Sequence, residues 1–493
     1  MKPGRIALFF AAVIAALAIA CALFPRDGIT VAGHEFYLPG VPPSSTGEAQ
    51  PAPLFTPTVA VEEPADHALA ITPDQPDLPS SASDTLLLSL PLPDGISPAD
   101  CYVTDTGGAR FWLPDSTFFD SFWAAAEQAR SHDRIVRIMH YGDSQIEMDR
   151  ISCRLRTYMQ RTFGGGGPGM LPFRTIIPTY AVRQYGSGAL THLSSFGDST
   201  VTRSPGNYGP MMQCFRLSGS ANVTLREASK KGVDDRVKRF SDISLVYNNR
   251  GATLSATLAD RTNKRSLPQQ ADSTGIGRLR WHLDTTSAHL VVSVSGNAEL
   301  YALTLDNGPG VAVDNIPMRG CSGQQFTLVP ADRLAQAYAQ FDVGLIILQF
   351  GGNSMPYLRD EKAIVKYCTS IGRQIDHVRR TCPKAKVLFI GPSDMSTRVR
   401  GQLQTYPQLP VVVDSLAATA LRHGAAYWSI YHAMGGHNSM LQWKRDGLAG
   451  EDYVHFTTRG ADLMGDRLSQ ALAESYRRYS LRRKLAFHEP SNN

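Results

Sequence analysis

The second half of the chain alternates short apolar runs with segments of helical periodicity. Apolar runs of about four to eight residues are typical of buried strands, whereas apolar positions three and four residues apart are typical of amphipathic helices. This pattern predicts strands at 311–313, 343–349, 387–390 and 425–430, and helices at 334–339, 363–380, 411–422 and 458–476. An earlier apolar run at 135–140 is predicted to be the first strand of the same sheet. Such alternation predicts an α/β fold, a three-layer α/β/α sandwich in which helices cover both faces of a parallel sheet.

Between residues 174 and 306 the pattern changes to short runs in which apolar and polar residues tend to alternate. Runs of this kind occur at 243–247, 252–258, 279–283, 290–294 and 301–305, separated by clusters of Gly, Asn, Asp and Ser. A period of two indicates strands that bury one face. We therefore predict a β-sandwich at 174–306, inserted into the α/β domain that residues 106–173 and 307–480 form.

The N-terminal part of the chain has the pattern of an exported protein. Lys2 and Arg5 precede an uncharged apolar stretch at 6–24, so residues 1–27 are predicted to be an export signal or a membrane anchor. Residues 28–105 are rich in Pro, Ser, Thr and Ala and are predicted to be a disordered linker. Ala18-Ile-Ala-Cys21 resembles a lipoprotein cleavage box, which makes lipidation at Cys21 an alternative to an uncleaved anchor. We expect an exported, membrane-anchored protein on the periplasmic or extracellular face.

Charge and cysteine content exclude some classes of function. The formal net charge of +5 is only mildly basic, and no clustered basic and aromatic pattern occurs, so we do not expect nucleic acid as a partner. Seven cysteines without a Cys-x-x-Cys motif argue against a zinc site and a disulfide scaffold. Cys368 and Cys382 flank one predicted helix and could form a disulfide. Residues 481–493, with Arg477 and Arg478 before them, are interpreted as a basic tail at a solvated helix end.

Two short motifs carry the residues of a serine hydrolase. Gly142-Asp143-Ser144 follows the first predicted strand and precedes a predicted amphipathic helix, an arrangement that presents a nucleophile near a helix N-terminus. Far downstream the chain has Asp452-Tyr-Val-His455. A serine hydroxyl becomes a nucleophile when an imidazole removes its proton and a carboxylate orients that imidazole. The sequence predicts Ser144 as the nucleophile, His455 as the general base and Asp452 as its partner. A second copy, Gly197-Asp198-Ser199, follows no predicted buried strand and is expected to be incidental.

With these motifs the chain resembles the SGNH, or GDSL-type, hydrolases over about residues 115–476. Ser144 lies in the first block of the family pattern, and Asp452 and His455 lie in the last. Asp314-Asn-Ile-Pro-Met-Arg-Gly320 resembles the second block, and Gly351-Gly352-Asn353-Ser354 resembles the third. The resemblance implies an oxyanion hole formed by the N–H of Ser144, the N–H of Gly320 and the side-chain amide of Asn353. It implies no metal and no cofactor.

The position of the predicted β-sandwich resembles that in one particular group of SGNH hydrolases. Its place between the first two blocks, with Tyr141-Gly-Asp-Ser-Gln145-Ile, resembles bacterial peptidoglycan O-acetylesterases, in which the insert is similar to a carbohydrate-binding module. This implies removal of O-acetyl groups from a cell-envelope polysaccharide, with peptidoglycan favoured, through an acetyl-serine intermediate. One alternative is a polysaccharide O-acetyltransferase that works with a membrane acyltransferase partner. Another is a non-catalytic polysaccharide-binding protein. Trp428, Tyr431 and Trp443, near the last block, either stack on sugars or pack in the core.

Overall fold

A computed structural model describes residues 29–31, 34–36, 105–106 and 109–488, with gaps at 198–201, 205, 207, 228–232, 252 and 272–273. The chain divides into two units, residues 1–56 and 57–493. The first unit contains a hairpin of β1 (Ile29–Val31) and β2 (His34–Phe36). The predicted signal or anchor, Cys21, most of the predicted linker, and Asp198-Ser199 lie outside the described residues. No described helix is both long and apolar enough to cross a membrane.

The centre of the second unit is a seven-stranded, mainly parallel sheet. Its strands are β3 (Asp105–Thr106), β4 (Ala109–Trp112), β5 (Ile135–Gly142), β14 (Gly310–Pro317), β15 (Asp342–Gln349), β16 (Lys386–Gly391) and β19 (Ala426–Ser429). They lie in the order β14-β5-β15-β16-β19-β4-β3. The five strands from β14 to β19 are parallel, as predicted, whereas β4 is antiparallel to β19. The short edge strands β3 and β4 were not predicted from the sequence.

Helices cover both faces of this sheet. They are α1 (Asp120–Gln128), α2 (Ser152–Phe163), α3 (Ala331–Tyr338), α4 (Glu361–Thr381), α5 (Leu409–Arg422), α6 (Ile430–Met434), α7 (Ser439–Arg445) and α8 (Thr458–His488). Alternate residues of each strand point to opposite faces. Met139 and Ile346 accordingly pack in one core with α3, α4 and α5, while Ile138 and Ile347 pack in a second core with α1, α2 and α8. The prediction of a mixed α/β fold is confirmed.

A separate antiparallel sheet of eight strands interrupts the parallel one. Its strands are β6 (Gly169–Leu171), β7 (Val182–Ser194), β8 (Gln213–Glu227), β9 (Phe240–Asn249), β10 (Leu254–Asp260), β11 (Arg265–Ala271), β12 (Gly275–Ser287) and β13 (His289–Asp306). The long strand β13 pairs with β6, β8, β9 and β10, and the sheet surrounds a hydrophobic core of its own. The strands begin at Gly169, before residue 174, and the domain boundaries given above stay a prediction. A small hairpin, β17 (Ser396–Val399) and β18 (Gln402–Thr405), completes the strands.

A buried ion cluster joins the two sheets. Arg137 on β5 donates to Asp306, the last residue of β13, at 2.6 Å and to Asp314 on β14 at 2.5 Å. Asp314 also accepts the backbone N–H of Met170 on β6 at 2.8 Å. Burial raises the pKa of Asp314, although Arg137 opposes this shift. The cluster therefore holds strands of both sheets against one another.

Two sequence expectations about local structure are wrong. The last helix continues to His488. Its basic end is not fully solvated: Arg478 and Arg482 are buried and pair with Glu474 and Asp120.

The second wrong expectation is the disulfide. The five described cysteines, including Cys368 and Cys382, are free thiols. Cys368 lies within α4 and Cys382 directly follows its end, so the two are separated by about 21 Å along the helix axis at about 1.5 Å per residue. A disulfide requires Cα atoms within about 7 Å of each other.

Candidate active site

Ser144 lies on a tight turn at the carboxyl end of β5. Residues Ser144–Asp149 form a 3-10 turn, and α2 begins only at Ser152, so the helix does not follow the serine directly as expected. Met148, Asp149 and Ile151 have positive φ angles of 60°, 68° and 60°. Such conformations cost about 1–3 kcal/mol each and persist where the surroundings hold them. Here a buried, bidentate pair between Asp149 and Arg156 holds the turn, at 2.5 and 2.8 Å.

The structure brings the two predicted motifs together. Ser144 Oγ lies 2.7 Å from His455 Nε2, and His455 Nδ1 lies 2.6 Å from Asp452 Oδ2. The other oxygen of Asp452 accepts the N–H groups of Val454 and His455 at 3.1 and 3.0 Å. Partial burial alone would raise the pKa of Asp452, but these hydrogen bonds outweigh it and lower the pKa to about 2. Asp452 is therefore ionised at neutral pH and oriented toward the imidazole.

The three predicted oxyanion donors surround the same turn. No group among the described residues accepts the backbone N–H of Ser144 or of Gly320. Gly320 has a φ of 75° in a turn, a conformation that favours glycine. Asn353 Nδ2 donates to Asp143 Oδ2 at 3.3 Å and to the Cys321 carbonyl at 3.1 Å. The two backbone donors thus have no acceptor within the described part of the chain, and the Asn353 amide is held against Asp143, the neighbour of Ser144.

Sequence reasoning assigned no role to the other polar residues of this turn. Asp143, Gln145, Glu147 and Asp149 alternate along it, and all four are buried. Glu147 accepts two hydrogen bonds from Arg319, the neighbour of Gly320, at 2.5 and 2.6 Å. This alternation of polar residues directly after the serine motif is the signal that could have revealed them. Each of the first three contacts a different part of the site.

Burial shifts two titratable groups next to the serine. Burial raises the pKa of Asp143 to about 6. The hydrogen bond from the N–H of Gln145 and the nearby His455 lower this pKa, but burial outweighs them. Behind the turn, His140 bonds to Gln349 at 3.0 Å through Nε2 and to Ser152 at 2.9 Å through Nδ1. Burial lowers the pKa of His140 to about 4, so this imidazole is neutral at physiological pH. Among the described residues no cluster of three or more His, Cys, Asp or Glu could hold a metal ion.

A mainly apolar cavity of about 40 Å³ borders the turn. Met148 and Pro317 line it from the catalytic side, and Phe196 and Met211 line it from the segments around the antiparallel sheet. Trp428, Tyr431 and Trp443 do not line it, because all three are buried in the cores that flank the parallel sheet. Packing, rather than sugar stacking, is therefore the use of these aromatic residues.

Part of the chain is similar to a known family. The sequence model of the GDSL-like lipase/acylhydrolase family matches residues 284–463, a span that includes Gly320, Asn353, Asp452 and His455. The match to this family begins inside β12 and leaves out Ser144, because the antiparallel sheet separates the first block from the others. No curated protein sequence is significantly similar to the chain.

One solved structure has a similar fold, and others are less similar. A structure titled "Peptidoglycan O-acetylesterase in action, 5 min" is similar with a TM-score of 0.59 and 23% identity, over 72% of this chain and 96% of that one. A family two carbohydrate esterase from Cellvibrio japonicus matches with a TM-score of 0.25 and 10% identity, over 60% and 99%. One from Clostridium thermocellum with cellohexaose matches with a TM-score of 0.23 and 12% identity, over 57% and 97%. The first match establishes the architecture.

Proposed function

We propose that the chain is a serine esterase that removes O-acetyl groups from a cell-envelope polysaccharide, with peptidoglycan as the favoured substrate. The observation that carries the proposal is the continuous set of hydrogen bonds from Ser144 Oγ through His455 to Asp452. A hydroxyl 2.7 Å from an imidazole nitrogen is within the range required for general-base catalysis.

In the first half of the proposed reaction, Ser144 Oγ attacks the acetyl carbonyl while His455 Nε2 takes the hydroxyl proton. The carbonyl oxygen becomes an oxyanion, which accepts hydrogen bonds from the N–H of Ser144, the N–H of Gly320 and the amide of Asn353. Each such donor is typically worth about 10²- to 10³-fold in rate. The C–O bond to the sugar then breaks, and His455 gives its proton to the leaving sugar hydroxyl. The product is acetyl-Ser144.

In the second half, a water molecule attacks acetyl-Ser144 while His455 again takes a proton. Collapse of the second oxyanion breaks the bond to Ser144 Oγ, returns the proton to the serine, and releases acetic acid. Ionised Asp452 stabilises the imidazolium in both halves. The side chains of His455 and Asp452 are 37% and 46% exposed, so a polymer can approach the site from solvent.

Three features support an envelope polysaccharide as the substrate. The fold is similar to that of a solved peptidoglycan O-acetylesterase. We infer that the parallel sheet and its helices form the three-layer α/β/α sandwich of SGNH hydrolases, with the antiparallel sheet as its inserted β-sandwich. The apolar stretch after Lys2 and Arg5 has the pattern of an export signal or anchor, which would place the enzyme beside the envelope.

The test is release of acetate from O-acetylated peptidoglycan by the full chain, compared with Ser144→Ala. Ser131→Ala, at an exposed serine that follows α1, is the matched control. We expect acetate release by the wild type and the control, and none by Ser144→Ala. Equal release by Ser144→Ala would overturn the mechanism. Acetylation of the polymer from an added acetyl donor, without release of acetate, would instead identify an acetyltransferase. Failure of a serine-directed phosphonate to label Ser144 would indicate a binding protein.

A further inference from the structure

The loop that carries Asp452 and His455 is not held in place by burial of those two residues. Both side chains are partly solvent-exposed, and their hydrogen bond lies within one loop. That bond fixes the imidazole relative to Asp452 but not relative to Ser144. The separation of 2.7 Å between Ser144 and His455 therefore depends on contacts between the loop and the nucleophile turn.

Gln145, the residue after Ser144, makes two of these contacts with one side chain. Its Nε2 donates to the Val454 carbonyl at 2.7 Å, and its Oε1 accepts the N–H of Phe456 at 3.3 Å. Val454 and Phe456 are the two neighbours of His455. The amide of Gln145 is buried, with 7% of the residue exposed, so these hydrogen bonds are shielded from water. It binds the backbone on both sides of the general base.

Arg150 adds a second connection between the same two segments. Its guanidinium donates to the Phe456 carbonyl at 3.0 Å and to the carbonyl of Ser144 itself at 2.5 Å. A third hydrogen bond, to the Glu147 carbonyl at 3.0 Å, fixes the guanidinium on the turn. Since the groups of Gln145 and Arg150 are planar, they constrain direction as well as distance.

We propose that Gln145 is a positioning residue that sets the distance between Ser144 and His455, with Arg150 as the second anchor. Neither residue touches the reacting atoms. A general base must lie within about 2.6–3.2 Å of the proton it removes. A displacement of about 1 Å can cost about 10²-fold in rate. The inference rests on the proposed serine-esterase mechanism but not on the identity of the polysaccharide.

The test compares Gln145→Leu and Gln145→Glu with the wild type and with Gln442→Leu, a control at an exposed glutamine of α7. Leucine removes both hydrogen bonds to the loop, and also the longer one that Gln145 Nε2 donates to Ser393 Oγ at 3.4 Å. Glutamate keeps the acceptor for the Phe456 N–H but loses the donor to the Val454 carbonyl. The substrate is p-nitrophenyl acetate, and active sites are titrated with a serine-directed phosphonate. This assay is independent of the polysaccharide, so its outcome is separate from that of acetate release.

For Gln145→Leu we expect kcat per titrated site to fall about 10²-fold with little change in KM, and phosphonate inactivation to slow by a similar factor. Gln145→Glu should lose about 10-fold, because one of its two hydrogen bonds remains. When His455 is displaced, hydroxide takes over its role as the base. The kcat of both variants should therefore keep rising at alkaline pH, where the kcat of the wild type no longer changes. Gln442→Leu should match the wild type.

A purely structural role predicts a different result. Gln145→Leu would then unfold at a lower temperature while kcat per titrated site and the pH profile stayed those of the wild type. That result would overturn the proposal. If Gln145→Leu does not fold, Gln145→Glu decides the question, and a wild-type kcat and pH profile in that variant would equally overturn it.

Discussion

Replacing Arg137 by Met should strongly destabilise the junction between the two sheets. The side chains of Arg137, Asp306 and Asp314 are 1%, 2% and 0% exposed, so the substitution leaves two buried carboxylates without a cation. Removing one partner of a buried pair typically costs about 3–5 kcal/mol. Asp306 Oδ1 and Asp314 Oδ2 already lack a hydrogen-bond partner among the described residues. We therefore expect a loss near the upper end of this range, about 5 kcal/mol at neutral pH.

The loss of stability caused by Arg137→Met should become smaller as the pH falls. The pKa of Asp314 is already raised by burial, and removal of Arg137 raises it further, so protonation relieves the repulsion. Destabilisation should be largest at neutral pH and shrink as the pH falls toward the range where Asp314 takes up a proton. Urea unfolding of the full chain, followed by tryptophan fluorescence at neutral and acidic pH, measures both the size and the sign.

Two further variants make the result decisive. Arg154→Met breaks an exposed pair with Asp466, at 2.7 Å and with 43% and 40% exposed side chains, and should cost less than about 1 kcal/mol. Adding Asp306→Asn and Asp314→Asn to Arg137→Met removes the uncompensated charge and should restore most of the stability. Two results would refute this prediction. One is a loss of unfolding free energy for Arg137→Met that is no larger than the loss for Arg154→Met. The other is a triple variant, Arg137→Met with Asp306→Asn and Asp314→Asn, that is no more stable than Arg137→Met alone.

Three more predictions concern the site and the residues behind it. Asp452→Asn should lower kcat about 10³- to 10⁴-fold with KM nearly unchanged, measured with a small acetyl ester at neutral pH; a loss below about 10-fold would contradict its orienting role. Asn353→Ala should lower kcat about 10²-fold or more, and an effect confined to KM would exclude it from the oxyanion hole. His140 has a pKa of about 4 in the folded protein, below its ordinary 6.5, so the unfolded chain takes up this proton first as the pH falls. The free energy of unfolding should therefore be unaffected by His140 above pH 6.5 and should fall by about 3 kcal/mol toward pH 4. His140→Gln should remove this part of the slope in urea unfolding at the two pH values, whereas an unchanged slope would show that His140 does not cause it.

The elements that could be predicted from the sequence are those with long or repeated patterns. β5, β15 and β16 are short, mostly apolar runs that are buried on both faces. Their length and apolar content, rather than any alternation, indicate strands. Ser144 and His455 could be identified because each stands in a motif whose residue types have one shared chemistry. The edge strand β4 could not be predicted, because only two of its residues pair with β19 and its neighbours have no alternation.

Other features depend on contacts between residues that are distant in sequence. Arg482 looks solvated in the sequence, yet it is buried because Asp120, on α1, lies against it. The roles that we propose for Gln145 and Arg150 have the same origin, since their partners follow them by roughly three hundred residues. The 3-10 turn after Ser144 could not be predicted from the local sequence either. Met148 and Ile151 adopt positive φ angles there, which residues with such side chains rarely adopt.

The connection between the two sheets gives this molecule a fixed geometry. β13 ends at Asp306 and β14 begins at Gly310, so three residues join a strand of the antiparallel sheet to the strand beside the one that presents Ser144. Arg137 holds Asp306, at the end of β13, against β5. A junction this short and this firmly held leaves little room for the two sheets to swing apart. A ligand that contacted both sheets would therefore reach Ser144 at one fixed spacing.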